Sequence, residues 1–221
     1  MKHHVSVARQ CALLICGLAV AGFGVALTTC AELGTSPISS LPLVAHYCVP
    51  PLSFGMTTFF INLLFVATEV ALLGRKFPPL QFAQVAVVFV FGMFIDLGMW
   101  VCSFWSFQNY ALRMAEVVLG SVVLSLGIAL QIHANLVFNP GEGCVKALCQ
   151  VFHARFAWVK IAFDVSLVLI ALILSLAALH GVFGLREGTL VAAFAVGLSL
   201  RWAMPLCRPV KKFLLIPAPR H

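Results

Sequence analysis

The stretch Gly34-Thr35-Ser36-Pro37 begins an apolar segment, Pro37 to Cys48, which looks helical but is too short to cross a bilayer. A spanning helix needs about 20 residues to cross roughly 30 Å of hydrocarbon. Asn139-Pro140-Gly141-Glu142 begins a second segment of this kind, from Pro140 to Phe152. Ser and Asn are good N-cap residues, and proline is favoured in the first helical turn. The sequence therefore predicts two short helices that are re-entrant or broken.

Six longer apolar stretches surround these segments, and each is long enough to span a bilayer. They run approximately over Arg9–Leu33, Ser53–Leu73, Leu80–Phe104, Leu112–Asn135, Ala157–Leu179 and Leu185–Met204. Only 10% of the 221 residues are charged and 62% are hydrophobic, whereas about 25% of a soluble domain is charged. We therefore predict an all-α polytopic membrane protein with six transmembrane helices in a single membrane domain, residues 1–221.

The positive charges predict the orientation of the chain. If neither short helix crosses, 12 of the 14 Lys and Arg residues fall on one side, and only Arg113 and Arg186 fall on the other. Lys and Arg concentrate on the cytoplasmic side of membrane proteins. Both termini are therefore predicted to be cytoplasmic, and residues 205–221 form a basic tail. If both short helices crossed, the charges would divide less cleanly.

The two halves of the chain share a pattern of breaks. A shift of 102 to 105 residues aligns three pairs: Pro37 with Pro140, Asn62 with Asp164, and Gly92 with Gly197. Each half then reads span, short helix, span, span, over about residues 9–104 and 112–204. Three spans are an odd number, so the second half would be inverted relative to the first. The alternative is six unrelated helices with two ordinary surface loops.

These breaks also carry a family resemblance. Leu33-Gly34-Thr35-Ser36-Pro37, Ser53-Phe54-Gly55 and Asn62 resemble the start of the YczE/YitT-type bacterial integral membrane protein family. Asn139-Pro140-Gly141-Glu142-Gly143 and Asp164 look like the matching elements of the second half. The resemblance covers nearly the whole chain and implies a multi-pass protein of the bacterial plasma (inner) membrane. The activity of that family is poorly defined, so the resemblance implies architecture and no substrate.

The breaks are where a solute is expected to bind. In transporters built from inverted repeats, interrupted helices meet near the midplane and their ends bind substrate or ions. A helix start carries unpaired N–H groups and partial positive charge, which suit an anion or a polar neutral solute. The candidate substrate-binding or pathway residues are Gly34, Thr35, Ser36, Asn62, Asp96, Asn139, Gly141, Glu142 and Asp164. The alternative is that Gly34 and its neighbours only cap and turn the chain.

The acidic candidates differ in strength. Asp164 is predicted to lie well inside a span, where a carboxylate must be paired, face water or be protonated. An interhelical hydrogen bond is the structural alternative. Asp96 lies among small residues that suit close helix packing, and Glu142 stands four residues before Lys146, as in an ordinary helix-surface ion pair. Glu69 lies near the predicted cytoplasmic end of its span, where it could simply reach the interface.

Two functions remain open from the sequence. The first is a small-solute transporter or channel, with the two short helices, Asn62 and Asp164 around its pathway. The second is a non-transporting membrane protein that organises or regulates a partner. An enzyme is not expected, because the chain has no GxSxG, HExxH or Walker motif. We expect the lipid bilayer and a small polar or ionic solute as partners, and no metal, cofactor or nucleic acid.

Overall fold

The computed structural model describes residues 4–5, 7–137, 139–210 and 215–216. Eight α-helices account for most of them: α1 Val7–Cys30, α2 Pro37–Cys48, α3 Phe54–Leu73, α4 Gln84–Cys102, α5 Tyr110–Ala134, α6 Pro140–Phe152, α7 Phe156–Leu179 and α8 Glu187–Leu206. Two 3-10 turns, Gly74–Lys76 and Pro79–Ala83, connect α3 to α4. Six helices, all except α2 and α6, are long and apolar enough to cross a membrane.

The predicted all-α fold with six long apolar helices is confirmed, and the two short helices begin and end at the predicted residues. Pro37 starts α2 after Ser36, whose backbone is extended, although the Ser36 side chain makes no cap hydrogen bond there. Asn139 does cap α6, because its Oδ1 accepts a hydrogen bond from the Gly141 N–H at 3.3 Å. Helix α6 ends at Phe152, and the next residue, His153, has a left-handed conformation with φ of 51°.

The chain ends that the structure describes lie together. Strand β1 (His4–Val5) pairs antiparallel with β2 (Leu215–Ile216). We call the side of the bundle that carries this pair the strand face, and the other side the opposite face. The predicted basic tail is described only in part, and its Lys211 and Lys212 lie outside the described residues.

Helix α1 packs at the centre of the bundle against α4 and α5. A Cβ atom added at Gly24 would lie 2.7 Å from the Leu124 Cα, and one added at Gly127 would lie 2.7 Å from the Ala21 Cα. These pairs run in opposite directions along the two helices, so α1 and α5 are antiparallel and their backbones nearly touch. We call this contact the glycine seam. Its other glycines are Gly17 and Gly120.

Helix directions show that α2 returns the chain to the face it came from. Gly22 lies against Phe94 and Gly98 against Ala26, so α1 and α4 are parallel. Helix α3 is antiparallel to α4, because Gly55 packs on Gly92 and Ser53 contacts Asp96. Helix α3 therefore runs opposite to α1, as expected when the segment between them does not cross.

The larger helix contacts in one half of the chain have counterparts in the other, with one exception. Helix α1 packs on α4 as α5 packs on α8, and α2 packs on α7 as α6 packs on α3. The exception is the last pair of each half, because α3 packs closely on α4 whereas α7 and α8 scarcely touch. A Cβ atom added at Gly92 would lie 2.6 Å from the Gly55 oxygen, but one added at Gly197 would meet nothing within 4 Å.

Candidate functional site

A cavity of about 310 Å³ lies where the two short helices begin. Every α-helix contributes to its wall. The polar residues of the lining are Ser36, Ser39, Thr58, Asn62, Gln131, Asn139, Glu142, Lys160 and Asp164. We call it the central cavity.

The starts of α2 and α6 meet at the central cavity. The Ile38 side chain in the first turn of α2 contacts Gly141 in the first turn of α6, and a Cβ atom at Gly141 would overlap it. The lining includes Ser36 to Ser39 from one helix and Asn139 and Glu142 from the other. Both helix N-termini therefore direct partial positive charge toward the same space.

Asp164 is paired within its own helix. Its Oδ1 accepts a hydrogen bond from the Lys160 Nζ at 2.5 Å, and the two side chains are 27% and 31% exposed. The Lys160 Nζ also lies 5.9 Å from the centre of the Phe163 ring. The pair meets two of the conditions expected of an acid at this depth, because Asp164 has a counter-charge and faces a cavity.

Asn62, the residue aligned with Asp164, lies in the same wall. Its side chain is 7% exposed, and its Nδ2 donates a hydrogen bond to the Thr58 carbonyl oxygen at 2.8 Å. Among the described residues, none donates a hydrogen bond to the Asn62 Oδ1. Asn62 lines the central cavity, so its amide oxygen is an acceptor that a bound solute or water can satisfy.

A second cavity of about 270 Å³ lies beside the central cavity, on the side of the strand face. It shares Gln131, Asn139 and Glu142 with the central cavity. Its remaining lining comes from the end of α5 and the segment after it, residues 135–137, with Gln81 and Lys146. We call this second cavity the vestibule.

The opposite face is closed at the equivalent segment. Leu33 and Thr35 are fully buried, and the Thr35 hydroxyl lies 3.1 Å from the Thr28 hydroxyl. Gly34 has a φ of +105°, and a Cβ atom there would lie 2.9 Å from the Thr189 nitrogen at the start of α8. We call the contact of Leu33–Thr35 with Gly188–Thr189 the seal. Cavities thus lead from the centre toward the strand face, whereas packed residues close the opposite face.

The structure brings five of the nine predicted site residues into the central cavity: Ser36, Asn62, Asn139, Glu142 and Asp164. Gly141 lies directly behind the wall, and Gly34 and Thr35 belong to the seal. The participation of these residues in transport stays a prediction.

Asp96 lies apart from the described lining of this cavity. Its Oδ2 accepts a hydrogen bond from the Ser53 hydroxyl at 2.6 Å, and its Oδ1 accepts one from the Gly55 N–H at 2.7 Å. Asp96 therefore fixes α4 to the start of α3. Both oxygens of the Asp96 carboxylate thus have a protein donor, and no bound solute is needed to explain a charged residue at this position.

The sequence interpretation missed Lys160, Ser39 and Thr58. Lys160 had a usable signal, because it stands four residues before Asp164, the spacing of a helical ion pair. Ser39 and Thr58 had none, since hydroxyl residues in apolar helices commonly bond the preceding turn. Thr58 does so here, donating to the Phe54 carbonyl oxygen at 2.8 Å.

Comparison with known protein families identifies the chain. It belongs to the family of unknown function DUF6198, whose family model matches residues 8–205. The match covers all six apolar helices almost completely. Comparison with curated proteins and with solved structures gives no match.

Proposed function

We propose that this member of a family of unknown function transports a small polar or ionic solute across a bacterial plasma membrane, through the central cavity. The observation that carries the proposal is that two interrupted-helix starts, Asn62 and the Lys160–Asp164 pair line one cavity. Binding sites of many secondary transporters are formed by interrupted helices of this kind. We propose no catalysed reaction.

An inverted repeat is part of this proposal. The paired packing of the helices supports it, as does the glycine seam, in which Gly17 and Gly120, like Gly24 and Gly127, are 103 positions apart. Exchange of the two halves converts the contact of Gly24 with Leu124 into the contact of Gly127 with Ala21. A two-fold axis in the membrane plane requires this exchange. The finer resemblance to YczE/YitT-type proteins agrees with this architecture and remains part of the proposal.

We infer that the described conformation is open toward the cytoplasm. Residues 135–137 line the open vestibule, whereas Leu33 and Thr35 are fully buried in the seal. The strand face would be cytoplasmic, because the positive-inside rule assigns both termini to that side. In the second conformation of a transport cycle, the seal would open and the vestibule would close.

The test is solute flux in liposomes that contain the purified protein. A panel of amino acids, organic anions, sugars and polyols is offered under defined gradients to the wild type and to Asp164→Asn. The matched control is Glu187→Gln, which makes the same chemical change at an exposed residue paired with Arg186. We expect Asp164→Asn to lower the flux of the transported solute about tenfold or more, equivalent to 1.4 kcal/mol or more, and Glu187→Gln to leave it unchanged.

Two results would refute transport. If the wild type moves no solute of the panel in any gradient, the proposal fails. It also fails if Asp164→Asn transports as fast as Glu187→Gln. Co-purification of one partner protein with the wild type and both variants, without flux, would instead favour a membrane protein that organises or regulates that partner.

A further inference from the structure

A second polar cluster is buried where α3, α6 and the start of α4 meet, near the strand face. Glu69 on α3 is only 4% exposed. The Gln84 Nε2 donates hydrogen bonds to the Glu69 Oε2 at 3.3 Å and to the Gln81 Oε1 at 2.7 Å. The Gln84 Oε1 is buried with no hydrogen-bond partner among the described residues. A carboxylate and a buried amide oxygen therefore lie together with few protein donors.

Helix α6 covers this cluster. A Cβ atom at Gly143 would lie 2.5 Å from the Glu69 Oε2, so the carboxylate rests against the α6 backbone. A cavity of about 110 Å³ lies beside the cluster. Its lining includes Glu69, Lys76 and Lys146, which stands one turn after Gly143 on α6. At about 30 Å³ per molecule, such a space holds a few waters. We call it the Glu69 cavity.

The groups with charge or a titratable proton around Glu69 come from two elements. Helix α6 contributes Lys146 and Cys144, and the 3-10 turn after α3 contributes Lys76. Burial and the nearby Glu69 charge raise the pKa of the Cys144 thiol to about 11, so this thiol is neutral at physiological pH. Among the described residues, the second 3-10 turn and the start of α4 contribute the neutral amides of Gln81 and Gln84. Lys146 is therefore the counter-charge on the helix that covers Glu69.

Lys146 shares a cavity with each of two carboxylates. It lines the Glu69 cavity and also the vestibule, where Glu142 lies one turn before it on α6. Glu142 in turn lines the central cavity. A single ammonium group cannot fully neutralise both acids. A buried carboxylate without a counter-charge is costly, and binding a proton removes the cost.

We propose that Glu69 is a proton-binding site linked to the central cavity through Lys146. When Lys146 pairs with Glu142, the Glu69 carboxylate takes a proton from hydronium in the Glu69 cavity. One O–H bond of the hydronium breaks, one O–H bond to Glu69 forms, and one water is released. When Lys146 pairs with Glu69, that proton returns to water. A solute bound beside Glu142 changes how Lys146 is shared and thereby the protonation of Glu69. This inference rests on the proposed function and makes the transport proton-coupled.

The protonation can be tested on the purified protein without any solute. Infrared difference spectra between acid and alkaline pH report the C=O band of a protonated carboxylic acid. We expect a titrating band in the wild type that is absent from Glu69→Gln and retained in the control Glu187→Gln. The proposal is overturned if Glu69→Gln keeps the whole band, or if the wild type has none.

Two further variants test the link through Lys146. In Lys146→Met the counter-charge is lost, so the midpoint of the Glu69 band should move to higher pH by at least about one unit, the size of a close charge effect. In Glu142→Gln the ammonium is no longer shared, so the midpoint should move to lower pH. A purely structural role for Glu69 predicts neither shift, and an unchanged midpoint in both variants refutes the link.

Liposome measurements separate this inference from the proposed function. For the solute found in the flux screen, Glu69→Gln should lose solute-driven proton uptake while it exchanges labelled for unlabelled solute within about twofold of the wild type. If the wild type moves solute without protons, the inference fails and the proposed function stands. If the wild type moves no solute but the infrared band behaves as expected, the proposed function fails and the proton site stands.

Discussion

The substitution Gly24→Ala tests the glycine seam. The added Cβ would lie 2.7 Å from the Leu124 Cα, whereas carbon atoms in contact prefer about 3.5–4.0 Å. Helices α1 and α5 would have to separate by roughly 1 Å along a contact in which both backbones are rigid. Overpacking of this kind costs about 1–3 kcal/mol, and each kcal/mol lowers the melting temperature of a chain this size by about 2–4 °C. We therefore expect the melting temperature to fall by roughly 2–12 °C.

The assay is thermal unfolding of the detergent-purified protein, followed by tryptophan fluorescence. Gly197→Ala is the matched control, because a Cβ atom there meets nothing within 4 Å. By the symmetry of the seam, Gly127→Ala should lower the melting temperature by about as much as Gly24→Ala. The reasoning is refuted if Gly24→Ala melts with the wild type, or if Gly197→Ala is as destabilised as Gly24→Ala.

Three further predictions concern topology, stability and the seal. With single cysteines, an impermeant thiol reagent should label Cys48 only from outside and Cys149 only from the cytoplasm, while buried Cys144, with a thiol pKa of about 11, stays unlabelled at neutral pH. Asp96→Ala should destabilise the protein by about 1.5–3 kcal/mol, the value of hydrogen bonds to a charged group, as measured by thermal unfolding. The solute flux per folded molecule, measured in liposomes, should be retained. Gly34→Ala should open the seal and make liposomes leak a small polar solute, because its φ of +105° and the Thr189 backbone exclude a side chain.

Each of these has an outcome that contradicts it. Labelling of Cys48 and Cys149 from the same side would exclude two non-crossing short helices on opposite faces. If Asp96→Ala loses more flux than the loss of folded protein explains, Asp96 is part of the solute pathway. Gly74→Ala is the control for the seal, since Gly74 also has a positive φ, of +52°, but a Cβ atom there meets nothing within 4 Å. Equal leaks in both glycine variants would show that backbone strain, and not the seal, is responsible.

The helices were predictable because their causes are local. A run of apolar residues near the length of a bilayer defines each span, and proline at the first turn defines the start of each short helix. The first residues of α2 and α6 follow directly from Pro37 and Pro140. The glycine seam was not predicted, although its signal is present: both Gly17 to Gly24 and Gly120 to Gly127 are seven residues apart.

The site was predictable in part, because the two aligned breaks indicate which segments meet. The function of Asp96 was not, since its partners Ser53 and Gly55 stand more than 40 positions away in the sequence. The difference between Gly92, which packs on Gly55, and Gly197, which meets open space, also has no sequence signal. Two residues of the same type occupy equivalent positions, and only the arrangement of whole helices distinguishes them.

That difference gives the two halves unequal mechanical stiffness. Asp96 and the contact of Gly55 with Gly92 join α3 and α4 into a stiff hairpin, whereas α7 and α8, which scarcely touch, form a compliant one. A bilayer thicker or thinner than the apolar length of the helices is accommodated by tilt, at a cost of a fraction of a kcal/mol per Å. Helices α7 and α8 would tilt first, so lipid chain length should alter the shape of the cavity wall that carries Asp164.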